Sequence, residues 1–180
     1  MSAEGAPVLP HLAVEFTTWL WWHSEQHENL FDLGEPIGTV NVWVDQRLAF
    51  RNPDEAKVLA VMTGENASIT LEARAALAGG KVLHEVRLGF RRDEREYLLT
   101  LKGAELHITQ LKLPQVVGGG EEAIHDRMFL YEEAYLVVGA LFRQFTALRT
   151  APEWGQEVLP ALQRWVRVVD DLPGRDSNEG

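Results

Sequence analysis

Cysteine is absent from this chain of 180 residues, which excludes disulfide bridges, thiolate zinc sites and cysteine nucleophiles. Long apolar runs are absent as well. No stretch of about 18 uninterrupted hydrophobic residues occurs, and residues 1–10 lack the basic start and apolar segment of a secretory signal. These absences favour a cytoplasmic, soluble protein without a membrane partner. The hydrophobic share of 46% and the charged share of 24% are typical of one globular domain.

Basic residues are scarce and unevenly placed. The formal net charge is −10, from 17 Lys and Arg against 27 Asp and Glu. Residues 1–46 contain no Lys or Arg and sum to −7, residues 47–120 sum to +2, and residues 121–180 sum to −5. This balance argues against a strongly basic nucleic-acid surface, so any anion-binding surface must lie in the middle stretch. The plainer interpretation is that all three stretches are solvated and carry charge for solubility.

Helical spacing of apolar residues predicts four helices. A first helix covers about 11–27, and a short one begins near Ser68 or Thr70 and ends at Gly79-Gly80. A long amphipathic helix covers 121–149, and a final helix covers 154–169 with a break or new start at Pro160. The apolar face of the long helix consists of Ile124, Met128, Tyr131, Tyr135, Val138, Leu141, Phe142 and Phe145.

Alternating patterns predict the strands. Residues 37–50 favour a hairpin broken near Asp45-Gln46, and a further strand covers 57–62. Three more strands, over 81–90, 97–101 and 105–113, form a meander. In the first of these, one face carries Val82, His84, Val86, Leu88 and Phe90.

The expected architecture is therefore α+β. An antiparallel sheet of five or six strands combines with an N-terminal helix, one inserted short helix and two C-terminal helices. Residues 12–169 form a single domain, with a flexible joint near 116–120 where the sequence reads VVGGG. We expect residues 1–11 to be flexible and residues 170–180 to be disordered.

Catalytic and metal signatures are weak. His23 and His27 could face one side of a helix, but they lack the His-Glu-x-x-His arrangement and a third ligand. Glu122 and His125 provide only one copy of the Glu-x-x-His motif that a di-iron bundle needs twice. No serine lies in a Gly-x-Ser-x-Gly turn. We expect no catalytic residue, metal or cofactor, and a metal-dependent enzyme using His23, His27 or His125 is the least favoured hypothesis.

Two groups of residues are candidates for binding. Trp19, Trp21 and Trp22 lie on more than one face of the first helix, so at least one could contact a partner, although aromatic clusters at helical spacing are usually core. The candidates for contact with DNA phosphates lie on the predicted meander: Lys81, Arg87, Arg91, Arg92, Arg95, Lys102 and Lys112. Asp93, Glu94 and Glu96 are interleaved with them, so the local field is weak unless folding segregates the signs.

Several strings resemble the C-terminal half of RdgC, a bacterial family of recombination-associated proteins. They are LAVEFTTWLWWHSE, LEARAALAGGKVLHEVRLGF, YLLTLKGAELHITQLKLP and DRMFLYEEAYLVVGALFRQF, which together cover roughly residues 12–148. The resemblance implies a non-enzymatic, nucleoid-associated protein that forms a ring-shaped dimer around duplex DNA with little sequence preference. It places Lys81, Arg87 and Lys102 in the DNA-facing part and the C-terminal helix in packing or dimer contacts.

Two features depart from the family pattern. The N-terminal half of the family has no counterpart in these residues, and the turn before the short helix reads Gly64-Glu65-Asn66 where basic residues are expected. The sequence thus leaves a second hypothesis, an acidic module that binds a protein partner or another copy of itself without nucleic acid. This hypothesis predicts oligomers and no binding to DNA.

Overall fold

The computed structural model describes residues 9–54, 58–63, 67–103 and 106–167. Its helices are α1 (Leu9–Gln26), α2 (Ala67–Ala78), α3 (Gly120–Thr150) and α4 (Leu159–Arg167), with a π-helical turn (Trp154–Val158) before α4. Its strands are β1 (Leu30–Asp32), β2 (Thr39–Arg51), β3 (Val58–Thr63), β4 (Val82–Arg92), β5 (Arg95–Lys102) and β6 (His107–Lys112). The predicted α+β class is confirmed. The predicted flexible start and disordered tail fall largely outside the described residues, and the turn at 64–66 falls wholly outside them.

All strands pair antiparallel in one sheet with the order β1-β2-β4-β5-β6. Strand β3 pairs with the C-terminal half of β2, on the same edge that β1 uses at the other end. The predicted meander is β4-β5-β6. The joint predicted near 116–120 lies between this meander and α3, which begins at Gly120.

Strand β2 corrects one prediction, because residues 39–51 form a single strand and not a hairpin. Asp45 pairs with Arg87 and Leu48 pairs with Val86, so the two residues of β2 between Asp45 and Leu48 have no pairing partner on β4. This is a β-bulge, which interrupts alternation without reversing the chain. A tight hairpin turn favours glycine or asparagine at its centre, and Asp45-Gln46 supplies neither.

A second irregularity lies in β4. Leu83 pairs with Phe50 and Glu85 pairs with Ala49, which leaves His84 as an extra residue. The side chains therefore change faces there, and Leu83 is fully buried. The predicted alternation holds from Val86 onward but is interrupted at this bulge, because Leu83, predicted to lie on the side opposite Val86, is buried in the core as Val86 is.

Helix α2 ends where its two glycines occur. Gly80 has a φ of +82°, the left-handed conformation that residues with a Cβ avoid. Its N–H donates to the Leu77 carbonyl, and the Lys81 N–H donates to the Ala76 carbonyl, both at 3.0 Å. This is the Schellman pattern, which returns the chain directly to the sheet at β4.

The helices cover one face of the sheet, and the core lies between the two layers. Phe16 and Trp19 of α1 are buried against Phe145 of α3, with ring centroids 5.5 Å apart in both pairs. The Thr17 hydroxyl donates to the Leu83 carbonyl at 2.9 Å, joining α1 to β4. We call this the covered face. The other face, which no described helix covers, we call the open face.

Candidate nucleic-acid interface

The open face can be traced from strand pairing, because directly opposed residues of neighbouring strands point to the same side. Arg87 lies opposite Asp45, and Leu98 lies opposite both Gly89 and Lys112. On β2, β4, β5 and β6 the acidic residues of this face are Asp45, Glu85 and Glu96. The basic residues there are Arg47, Arg51, Arg87, Arg91, Lys102 and Lys112. Cations therefore outnumber acids locally in a chain of net charge −10, although β1 adds Asp32 at the far edge.

Three of these cations are in ion pairs. Arg87 lies 3.0 Å from Asp45, and Arg47 lies 3.5 Å from Glu85. The pair between Arg91 and Glu96 spans 2.8 Å, and both side chains are more than half exposed. An exposed ion pair contributes at most about 1 kcal/mol, so a phosphate can replace the carboxylate of Glu96 at little cost.

The remaining cations of the open face are Arg51, Lys102 and Lys112. None of the three forms an ion pair with a described residue. Lys112 is exposed, and Lys102 is partly exposed on the adjacent strand. These cations give the open face its positive balance.

An indole lies flat on this face. A Cβ built on Gly89 would stand 2.2 Å from the Trp43 ring, so the ring occupies the space that any other residue would fill. The Arg91 guanidinium lies 6.0 Å from the same ring, at the limit of a cation–π contact. The glycine thus allows Trp43 to pack on the strand backbone beside the exposed arginine.

Arg92 and Arg95 have a different environment, because both reach the covered face and bind Glu133 of α3. Their guanidinium groups lie 2.7 and 2.9 Å from the same carboxylate oxygen. The Tyr97 hydroxyl donates to the other oxygen, and Arg92 also donates to the Pro36 carbonyl at 3.0 Å. Glu133 is 3% exposed. These contacts attach α3 to the β4–β5 hairpin and leave the two arginines little capacity for phosphate.

Tyr97 is part of the same cluster. Burial, together with the hydrogen bond and the negative charge of Glu133, raises the pKa of its phenol well above the usual value. The phenol therefore stays protonated and acts as a donor. Both oxygens of Glu133 accept hydrogen bonds in this cluster, whereas the buried Nε of Arg95 has no partner among the described residues. The arrangement is that of a structural ion-pair cluster.

Lys81 lies apart from the other candidates. It follows α2 directly and lines a small apolar cleft between the helices, together with Glu15, Trp154 and Leu162. The structure therefore brings four of the seven predicted cations to one surface: Arg87, Arg91, Lys102 and Lys112.

The three tryptophans of α1 are core residues in a single chain. Trp19, Trp21 and Trp22 are 1%, 4% and 8% exposed. The Trp21 ring packs edge-on against Trp165 of α4, with ring centroids 4.8 Å apart. The indole N–H groups of Trp21 and Trp165 both donate to Glu25, at 2.8 and 2.9 Å. These contacts join α4 to α1 and leave little indole surface for a partner.

His23 of α1 and His27, which follows the helix, pack against each other with tilted rings. The rings of His23 and His27 lie 4.1 Å apart. Burial, with His27 nearby, lowers the pKa of His23 to about 4. No group of three or more metal-ligating side chains occurs in the described parts of the chain. His125 is exposed on α3 beside Glu121 and Glu122.

Sequence reasoning missed three members of the open face: Trp43, Arg47 and Arg51. One signal was available for Trp43, because alternation with Val42 and Val44 places its side chain opposite the buried valines. The bulge adds two residues to β2 and so preserves the order of the faces, and alternation continued from Trp43 also places Arg47 and Arg51 on the open side. The same signal was therefore available for both arginines.

Comparisons of the chain with protein-family models, with curated proteins and with solved structures found no match. Within the described residues, no helix is both long and apolar enough to span a membrane. The proposed function therefore rests on the geometry of the site.

Proposed function

We propose that this chain is an RdgC-like, non-enzymatic protein that contacts the phosphate backbone of duplex DNA through the open face of its sheet. Its role would lie in recombination or nucleoid organisation, in the cytoplasm. The observation that supports the proposal is the segregation of charge. Folding moves Arg92 and Arg95 to the covered face and gathers six cations with four carboxylates, including Asp32 at the far edge, on the open face.

The expected mode of binding follows from the side chains available. Long cations on a broad sheet can reach phosphates, which position a protein on the duplex without reading sequence. The described residues of the open face belong to strands, and none of them forms a recognition helix that could enter a groove. With few unpaired cations and a net charge of −10, we expect modest affinity that depends steeply on salt.

The test is binding to a labelled duplex of about 30 base pairs at about 50 and about 200 mM salt. The test variant is Arg91→Gln/Lys102→Gln/Lys112→Gln. The matched control is Arg143→Gln/Arg164→Gln/Arg167→Gln, which removes the same charge from exposed helix positions. We expect the test variant to bind roughly tenfold or more weakly at low salt, and the salt slope to fall by about 0.9 for each phosphate that is no longer neutralised.

Two results would overturn the proposal. One is the absence of wild-type binding at the lower salt concentration. The other is an equal decrease in affinity for the control variant, because this would show that net charge and not the open face governs binding.

The second hypothesis, self-association, is favoured by one feature. The first half of α3 exposes large apolar side chains, including Met128 and Tyr131, on the side that faces away from Glu133.

A further inference from the structure

The apolar stripe predicted for the long helix divides into two parts. Its second part is core, since Leu141 and Phe145 are fully buried. Its first part faces away from the sheet: Ile124, Met128, Tyr131 and Tyr135 are 57%, 57%, 49% and 50% exposed. Exposed apolar surface that is continuous along a helix marks an interaction site in a water-soluble domain.

These exposed residues have the spacing of a coiled-coil seam. Steps of four, three and four residues separate Ile124, Met128, Tyr131 and Tyr135. In heptad terms, Met128 and Tyr135 occupy a positions, and Ile124 and Tyr131 occupy d positions. The helix presents its opposite side to the core through Leu130, Ala134 and Val137. The seam therefore faces away from the sheet.

Two oppositely charged residues flank the seam. Arg127 occupies a g position and Glu132 the e position five residues later. Both line a shallow depression with Ile124, Met128 and Tyr131. Both are exposed, and neither has an ion-pair partner among the described residues.

We propose that the seam binds the same seam of a second copy of this chain, with the two α3 helices parallel. In a parallel pair, the g residue of one helix meets the e residue of the next heptad in its partner, five positions on. Arg127 of each copy then meets Glu132 of the other, so the two-fold axis generates two ion pairs.

The same charges disfavour the antiparallel arrangement. There g positions lie beside g positions and e beside e, so each Arg127 approaches the other Arg127 and each Glu132 the other Glu132. Like charges across a seam oppose that orientation. The charge pattern thus favours an identical helix as the binding partner and the parallel orientation of the two helices. This inference does not depend on DNA binding.

A charge-exchange series tests the pairing without DNA. Sedimentation over a range of protein concentrations measures the dimer dissociation constant for the wild type, Arg127→Glu, Glu132→Arg and the double variant. We expect each single variant to weaken the dimer by roughly tenfold and the double variant to recover most of the affinity. Arg143→Glu, at an exposed position outside the seam, should leave the dimer unchanged.

The absence of cysteine permits a direct test of direction. Parallel pairing places Met128 opposite its own copy, within the Cα separation of about 7 Å that a disulfide tolerates. Under mild oxidation, Met128→Cys should form a covalent dimer, whereas Ala147→Cys, exposed on α3 but outside the seam, should not. A wild-type chain that stays monomeric at every concentration would overturn the proposal. So would crosslinking that appears only when Met128→Cys and Tyr131→Cys chains are mixed, because that result requires antiparallel helices.

Discussion

The two faces of the sheet place neighbouring arginines in different environments, one exposed to solvent and one in contact with a buried carboxylate. Arg91 points to the open face, where it has an exposed ion pair with Glu96. Arg92, the next residue, points to the covered face and binds the buried Glu133. Because successive side chains of a strand point to opposite faces, a side chain on the solvent-exposed face is followed by one that faces the core. Charge that is contiguous in sequence is thus divided between a candidate binding surface and a structural cluster.

The difference is one of energy as well as position. An exposed ion pair stabilises the fold by at most about 1 kcal/mol, and its members can change partners. A buried carboxylate that loses its partners, or a cation that loses its carboxylate, destabilises the fold by several times as much. On the covered face, the ion pairs with Glu133 attach α3 to the sheet. On the open face, the cations stay available to bind other anions.

The largest predicted effect concerns the carboxylate of the covered face. Glu133→Gln should lower the free energy of unfolding by about 3 kcal/mol, because Arg92 and Arg95 lose the buried carboxylate that both contact. Urea denaturation measures the change. Glu157→Gln, at an exposed position outside the cluster, should alter stability by no more than about 0.5 kcal/mol. Equal effects of the two substitutions would contradict a structural role for the cluster.

The next largest predicted effect is that of Gly89→Ala on stability, which should change sign when Trp43 is removed. In the wild type, Gly89→Ala should destabilise the fold by about 1–3 kcal/mol, because the added methyl group collides with the Trp43 ring. In a Trp43→Ala background the same change should stabilise by about 0.5–1 kcal/mol, since alanine loses less entropy than glycine on folding. Thermal unfolding of the four proteins measures both effects. Equal cost in both backgrounds would show that the indole does not fill this space.

A smaller effect should appear on acidification. His23 has a pKa of about 4 in the folded chain, and unfolding restores the ordinary value near 6.5. Between these two values the unfolded state binds the extra proton, so stability is lost as the pH falls from about 6.5 to 4. Because the ring is partly exposed, we expect this loss to be about 1–2 kcal/mol.

The comparison that isolates this loss uses His23→Gln, which should lose less stability than the wild type over the same pH interval. His125→Gln, at an exposed position, should follow the wild type. Parallel pH curves for His23→Gln and the wild type would show that the buried ring does not drive the change.

The smallest effect on stability belongs to the open face. Arg91→Gln should change the free energy of unfolding by less than about 0.5 kcal/mol, because it removes only an exposed ion pair. A urea titration of this variant beside the wild type measures the difference. A loss comparable to that of Glu133→Gln would remove the distinction between the two faces.

Local patterns in the sequence predicted the helices, including the stop of α2 at Gly79-Gly80, and the meander, but they missed the short strand β1 and divided β2 into a hairpin. They did not reveal the bulges of β2 and β4, because an interruption of alternation also fits a turn. Alternation from the buried Phe90 already predicts that Arg91 and Arg92 lie on opposite faces of the sheet. Grouping the arginines by their proximity in the sequence hides this difference. The hydrogen bond from Arg92 to Glu133 spans 41 residues, and such long-range pairing leaves no local signal.

The most direct test compares Arg91→Gln with Arg92→Gln for duplex affinity at low salt, where both variants are folded. Each substitution removes one positive charge, so net charge is matched. We predict that Arg91→Gln weakens binding and that Arg92→Gln, although less stable, binds DNA as the wild type does. Equal affinities of the two variants, or a larger decrease for Arg92→Gln, would contradict the assignment of the open face as the DNA-binding surface.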